Sequence, residues 1–207
     1  MYVPEAFRFD DRPALLAYAT SYPFATVITN GQGGLQVSHL PLLVAAHALR
    51  GHVARENPQL AHFAAGAEVL SIFHGPHGYV SPSVYAEPHG VPTWNYVVVH
   101  ARGRSRVVDE LELRAILNDS VARFDDTGWW PPDDEALLGT KLAAIAGFEI
   151  EIEHLEGKWK VSQNKSREDQ SRVAEWLERG DEASRSLAAL MRARLSSLRA
   201  DDADEIR

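Results

Sequence analysis

The sequence predicts an α+β protein made mainly of antiparallel β-structure, with helices around it. Three observations carry this expectation. Runs rich in β-branched and alternating apolar residues recur between Gly- and Pro-containing turns through the first half of the chain. Phe148-Glu149-Ile150-Glu151-Ile152-Glu153 alternates apolar and acidic residues without a fault, the period of a half-buried strand. Leu113, Ile116, Leu117, Val121 and Phe124, and later Val173, Trp176, Leu177, Leu187, Leu190, Met191 and Leu195, repeat at helical intervals.

Taken in order, Asp10 or Asp11 can cap a short helix carrying Leu15, Leu16 and Ala19, which Tyr22-Pro23 stops. Phe24–Thr29 reads as a strand. Asn30–Gly34 offers the positive-φ positions of a hairpin turn, and Leu35–Ala45 returns as a second strand. Leu49–Ala54 is a third, so this opening reads as a β-meander. Asn57-Pro58 begins a helical turn with Leu60, Phe63 and Ala64 on one side. Glu68–Phe73 is a further strand, and Thr93–Val108 is a long one, apolar enough on both faces to be partly buried on each. Asp109 and Glu112 have the spacing of a capping box at the head of the next helix. Another helix is expected from Asp133 to roughly Ile145. After Phe148–Glu153, Glu156-Gly157 is predicted to turn the chain into a hairpin whose return strand carries Trp159 and Val161. From Arg167 the pattern becomes charged helix. The expected organisation is a β-domain over residues 1–166 and a helical extension over 167–207.

Between the strands lies His74–Tyr96, HGPHGYVSPSVYAEPHGVPTWNY, with four prolines, three glycines, three tyrosines and three histidines. Each proline removes a backbone donor and restricts the residue before it, which rules out a regular helix. The aromatic content argues against disorder. A long structured loop forming one wall of a ligand site is the resulting expectation.

The 207 residues suffice for one well-buried core. Lys plus Arg total 21 against 29 Asp plus Glu, a net charge of −8. That balance weighs against broad electrostatic binding to nucleic acid, which needs clustered cations. Cysteine is absent, which excludes disulfides and thiolate chemistry. No segment approaches the ~20 consecutive apolar residues that span a bilayer, and no leader pattern opens the chain, so a cytoplasmic protein is expected.

HGYVSPSVY followed by VPTWNY resembles the PaiB-type FMN-binding regulators, relatives of the pyridoxamine 5'-phosphate oxidase-like split-barrel flavoproteins. MYVPEAF at the amino terminus, SHLPLL at Ser38–Leu43, GHVARENPQ at Gly51–Gln59 and EGKWKVSQNKS at Glu156–Ser166 agree with it, in the same order. The resemblance implies a split β-barrel of about six to eight strands, an FMN cofactor held by strands and side chains, and a homodimer. It also implies a role in negative transcriptional regulation. DNA binding rests on the resemblance alone, since no helix-turn-helix with a basic recognition face is found. A flavin-dependent oxidoreductase or flavin reductase on the same barrel is the alternative.

FMN needs donors for a dianionic phosphate and a flat wall for its ring. No glycine-rich phosphate loop is present. Arg55 is the first candidate for the phosphate, since it precedes Asn57-Pro58 and a helix amino terminus; the alternative is a surface Arg paired with Glu56. Ser38 and His39 either line the site or bind an adjacent loop. Tyr79, Ser81 and Tyr85 are candidates to face the ring, and Thr93, Trp94 and Asn95 to supply donors and stacking surface. Gln163, Asn164 and Lys165 either reach the flavin ring edge or phosphate, or cap the helix that follows together with Ser166 and Asp169. His74 and His77 lie on a Gly/Pro stretch without an acidic ligand set, so no metal site is expected. No catalytic residue is assigned.

Overall fold

The computed structural model describes residues 1–86, 91–129 and 135–204. Among them the strands are β1 (Arg8–Phe9), β2 (Phe24–Gly31), β3 (Gly34–Pro41), β4 (Leu43–Val44), β5 (Ala48–Ala54), β6 (Glu68–Val80), β7 (Thr93–Val107) and β8 (Ile145–Lys160). The helices are α1 (Arg12–Ser21), α2 (Gln59–Ala64), α3 (Glu110–Phe124), α4 (Glu135–Ala143), α5 (Arg167–Leu177) and α6 (Glu182–Asp204). The strands form one sheet in the order β3-β2-β6-β7-β8-β5-β4, with β1 pairing β8. The split-barrel α+β class expected from the sequence is the fold observed.

Two compact units are distinguished. The first comprises Met1–Phe9, His74–Val98 and Gly157–Arg207; the second comprises Asp10–Phe73 and Val99–Glu156. β6, β7 and β8 run from one into the other. In the second unit, Phe63 and Phe148 stack at 4.3 Å between ring centroids and are fully buried, with Leu49, Val53 and Ile150 also in the core. In the first, Val80, Val97, Val161, Val173, Leu177, Leu187 and Met191 are buried.

Several local readings hold in detail. Asp11 caps α1 by accepting from Ala14 N at 3.2 Å, and Leu15, Tyr18 and Ala19 face inward. Gly33 and Gly34 turn the β2–β3 hairpin at φ 94° and 91°, where a side chain is strained. The capping box of α3 is complete: Asp109 Oδ1 accepts from Glu112 N at 2.8 Å, and Glu112 Oε2 accepts from Asp109 N at 3.3 Å. Arg106 reaches Glu112 at 2.7 Å and Glu149 at 2.8 Å. Its guanidinium, helped by the Asp109 N–H, holds the Glu112 carboxyl at a pKa of about 2.

Other expectations are corrected. The opening strands do not form a meander: β2 pairs with β3 and β6, while β5 pairs with β4 and β8. The predicted Leu35–Ala45 strand breaks at Leu42, whose N–H donates to Pro23 O. Gly51 lies opposite Phe148 in the β5–β8 register, and a Cβ there would stand 3.0 Å from that ring. This bulky–small match selects the distant strand over the neighbouring one. The hairpin expected at Glu156-Gly157 is absent, because β8 continues as one strand to Lys160 and Gly157 pairs with Phe9 of β1. The start expected at Asp133 lies outside the described residues.

The Pro/Gly stretch is also shorter than a 23-residue loop. β6 runs through it to Val80, with Pro76, Gly78 and Val80 buried in alternation against exposed His77 and Tyr79. Gly78 is small because Leu177 packs on it; a Cβ would lie 2.5 Å from Leu177 Cδ2. Close packing, rather than a turn, explains that glycine.

Candidate functional site

In the second unit, the end of β5 delivers Arg55 and Asn57 to a turn closed by Asn57 N–H to Ala54 O at 2.9 Å. The Asn57 carboxamide is fixed at both ends. Its Oδ1 accepts from Gln59 N at 2.9 Å, and its Nδ2 donates to Ser38 Oγ at 3.0 Å. The structure therefore unites Ser38 with Asn57. It separates Ser38 from His39, since consecutive strand residues face opposite sides of the sheet. His39 is on the exposed face, with its Nδ1 3.2 Å from Thr26 Oγ1 and its ring near Phe24. Arg55 donates from Nε to Ala143 O at 3.0 Å and from Nη2 to Ile145 O at 2.9 Å. Those bonds use two of the five guanidinium N–H groups.

The frame beneath this turn is a buried polar relay on α2 that sequence reasoning missed. The expected face of Leu60, Phe63 and Ala64 is replaced by Gln59, His62 and Phe63, all buried. Gln59 Nε2 donates to Val27 O and Thr29 Oγ1 at 3.1 Å and to Gln36 O at 3.3 Å. With Thr29 Oγ1 already accepting, its proton goes to His62 Nδ1 at 2.8 Å, and His62 Nε2–H donates to Gln32 O at 3.0 Å. The direction of the chain assigns the Nε2–H tautomer. Two polar residues three apart on a short helix carry no periodic signal, which is why the pattern was not visible beforehand.

In the first unit, β7 sorts the candidate residues by alternation. Thr93 and Asn95 face a cavity of about 260 Å³ that Phe7, Tyr85, Val91, Lys160, Ser162, Asn164 and Lys165 complete. Tyr79 and Trp94 line a different, aromatic recess with Trp176, Arg179, Asp181 and Ser184. The Trp176 indole N–H donates to Tyr79 O at 3.1 Å, and Tyr79 meets Trp94 edge-on at 6.0 Å. Ser81 caps the turn at Pro82–Val84 by accepting from Ser83 N at 3.3 Å. Gln163 folds onto its own backbone, accepting from Val161 N at 2.8 Å and donating to Trp159 O.

A family model described as "Putative FMN-binding domain" matches residues 1–154. The chain belongs to this family. FMN is accordingly its cofactor. The chain is 32% identical over 204 residues to the protease synthase and sporulation protein PAI 2 of Bacillus subtilis, covering 94% of this chain and 98% of that protein. Two solved structures are similar in fold. The flavocytochrome Anf3 from Azotobacter vinelandii has a TM-score of 0.63 at 16% identity, covering 81% of this chain and 77% of the other. The FAD and heme binding protein from Mycobacterium smegmatis has a TM-score of 0.61 at 19% identity, covering 78% of each chain. Among the described residues, no helix is long and apolar enough to cross a membrane.

The residues around Asn57 fit the family's cofactor. A phosphate dianion needs convergent donors, and Ser38, Asn57 and the outer guanidinium N–H groups of Arg55 are of that kind. The cavity behind Arg55 does not fit it, because Asp109 and Glu110 line that space with Val107, Leu113, Leu142 and Ala146.

Proposed function

We propose that the protein is an FMN-loaded homodimer of the PaiB type with a regulatory role, and that Arg55, Asn57 and Ser38 hold the phosphate end of the cofactor. The observation that carries this reading is the Asn57–Ser38 hydrogen bond, which orients an amide and a hydroxyl beside the Arg55 turn. Support for the regulatory role comes from the Bacillus subtilis relative, named for protease synthesis and sporulation, which aligns along nearly the full chain. The dimer reading is supported by β3, an end strand of the sheet order. On the β2–β3 hairpin Phe24, Leu35 and Val37 are 64%, 68% and 55% exposed. An apolar end strand of this kind is covered by a partner or becomes a liability.

Titration of the flavin-free protein with FMN and riboflavin tests the phosphate assignment. The parent is expected to prefer FMN by at least about tenfold, equivalent to ~1.4 kcal/mol. Arg55→Ala and Asn57→Ala are expected to weaken FMN while leaving riboflavin unchanged, closing that gap. Equal loss of both ligands would show a folding effect, and an unchanged FMN preference would remove these residues from the phosphate site. On the FMN-loaded form, sustained oxidation of a nicotinamide donor would favour the oxidoreductase alternative over regulation.

A further inference from the structure

The first-unit cavity has a chemistry of its own. We propose that it is a second binding site, for a small organic anion carrying a flat apolar body. Two ammonium groups, Lys160 and Lys165, line it, and no carboxylate does so among the described residues. In a chain of net charge −8, this is a local inversion of sign. Five residues that the sequence suggested for the flavin, Tyr85, Thr93, Asn95, Asn164 and Lys165, line this cavity.

The polar wall is built rather than incidental. Asn95 and Ser162 are 1% and 4% exposed, and Asn95 Nδ2 donates to Ser162 Oγ at 2.8 Å. Ser162 has φ 61°, the one non-glycine residue at positive φ among those described. Such backbone strain recurs at binding sites, where the surroundings hold it in place. Tyr85 also interacts with the Ser162 hydroxyl, and burial pushes its phenol above the ordinary value, so it keeps a proton to donate. Lys160 donates to Thr93 Oγ1 and to Trp94 O at 2.7 Å, leaving one of its three N–H groups. Burial, then the neighbouring Lys158, lowers its pKa, the response of a cation that lacks a counter-charge. Lys165 lies 5.1 Å over the Tyr85 ring. Asp169 is the nearest acidic influence on Tyr85, but its Oδ1 accepts from Ala86 N at 2.8 Å and it does not line the cavity.

Phe7, Val91 and the Tyr85 ring supply the apolar side, and about 260 Å³ accommodates a ring with a head group. Lysines act as point charges and suit carboxylate or phosphate alike. The shared chemistry is therefore a compact anion on a flat body.

The test is calorimetric titration of the FMN-loaded full chain with phenyl phosphate and with benzoate, using phenol as the neutral control. One equivalent of at least one anion is expected to bind saturably, more weakly in high salt, and phenol is expected not to bind. The stronger of the two anions identifies the head group. The Lys160→Met/Lys165→Met protein is expected to lose at least about tenfold in anion affinity while taking up FMN like the parent. The single Lys165→Met change, at an exposed position, should give an intermediate loss in a fully folded protein. Absence of saturable binding by either anion, or undiminished binding by the double variant, would overturn the proposal. So would loss of FMN uptake by a folded double variant, which would make the cavity part of the cofactor site.

Discussion

Gly103→Ala is expected to be among the most destabilising single-methyl changes in the chain. Gly103 lies on β7 against β8, where a Cβ would stand 1.7 Å from Glu151 O and 2.7 Å from Glu151 C. The obstacle is backbone, so no side-chain rotation relieves it. Either the two strands separate locally and lose ladder hydrogen bonds, or β7 bulges and shifts the side chains that follow it. Overpacking of this kind costs roughly 3 kcal/mol or more, which in a chain of this size lowers the melting temperature by about 10 °C. Thermal unfolding followed by circular dichroism reads the effect directly. Gly139→Ala is the matched control: Gly139 sits in α4 with open space around its Cβ direction. There the same substitution should be neutral or stabilise by up to about 1 kcal/mol, because alanine favours a helix. A Gly103→Ala protein melting with the parent would overturn the close approach of β7 to β8 at Glu151.

The comparison of these two glycines shows what a sequence carries and what it does not. Local signals were legible because their partners lie within a few residues. Asp109 and Glu112 cap α3 as their spacing requires, Asp11 caps α1, and Val97, Val98 and Val99 are buried on β7 as its unbroken apolar run implied. Signals that depend on distant partners were not. Gly157 reads as a turn residue, yet Phe9, 148 residues earlier, pairs with it, and the strand β8 continues through it. Gly78 and Pro76 read as loop, but Leu177 of α5 presses on Gly78 and keeps β6 extended. At the candidate site, Arg55 and Asn57 could be picked from their place after a strand. That Ser38 joins them while His39 points away follows from strand alternation, once β3 is known to run through both residues. The lysine cavity escaped because Lys160 was expected on the return strand of a hairpin, whereas β8 runs on to Lys160 as one strand.

The second large effect is expected from Gln59→Glu, a replacement of nearly identical size at a position with no exposed surface. Three acceptors, Val27 O, Thr29 Oγ1 and Gln36 O, converge on the Gln59 amide nitrogen. The two carbonyls among them fix the orientation of the amide, since its oxygen in that place would face only oxygens. Glu in its ionised form has no donor and would set a buried negative charge against them. Removing the donor while adding an unpaired charge should cost roughly 3–5 kcal/mol at pH 7. The penalty carries a pH signature. Burial raises the folded-state pKa of the new carboxyl above the unfolded value of about 4.3, so the folded state binds the extra proton. Stability relative to the parent is therefore best preserved below that pH and falls by up to about 1.4 kcal/mol per unit as pH rises, levelling once the folded group ionises. Gln59→Met removes the same donors without a charge, so its loss should be smaller, about 1–3 kcal/mol, and indifferent to pH. Because the Gln59 backbone N–H also holds Asn57 Oδ1, disturbance of α2 reaches the proposed phosphate site. Denaturant titrations of both variants between pH 4 and 8, with FMN uptake measured on the folded fraction, separate the two effects. A pH-independent difference between Gln59→Glu and the parent would show that solvent reaches this amide and that the relay does not frame the site.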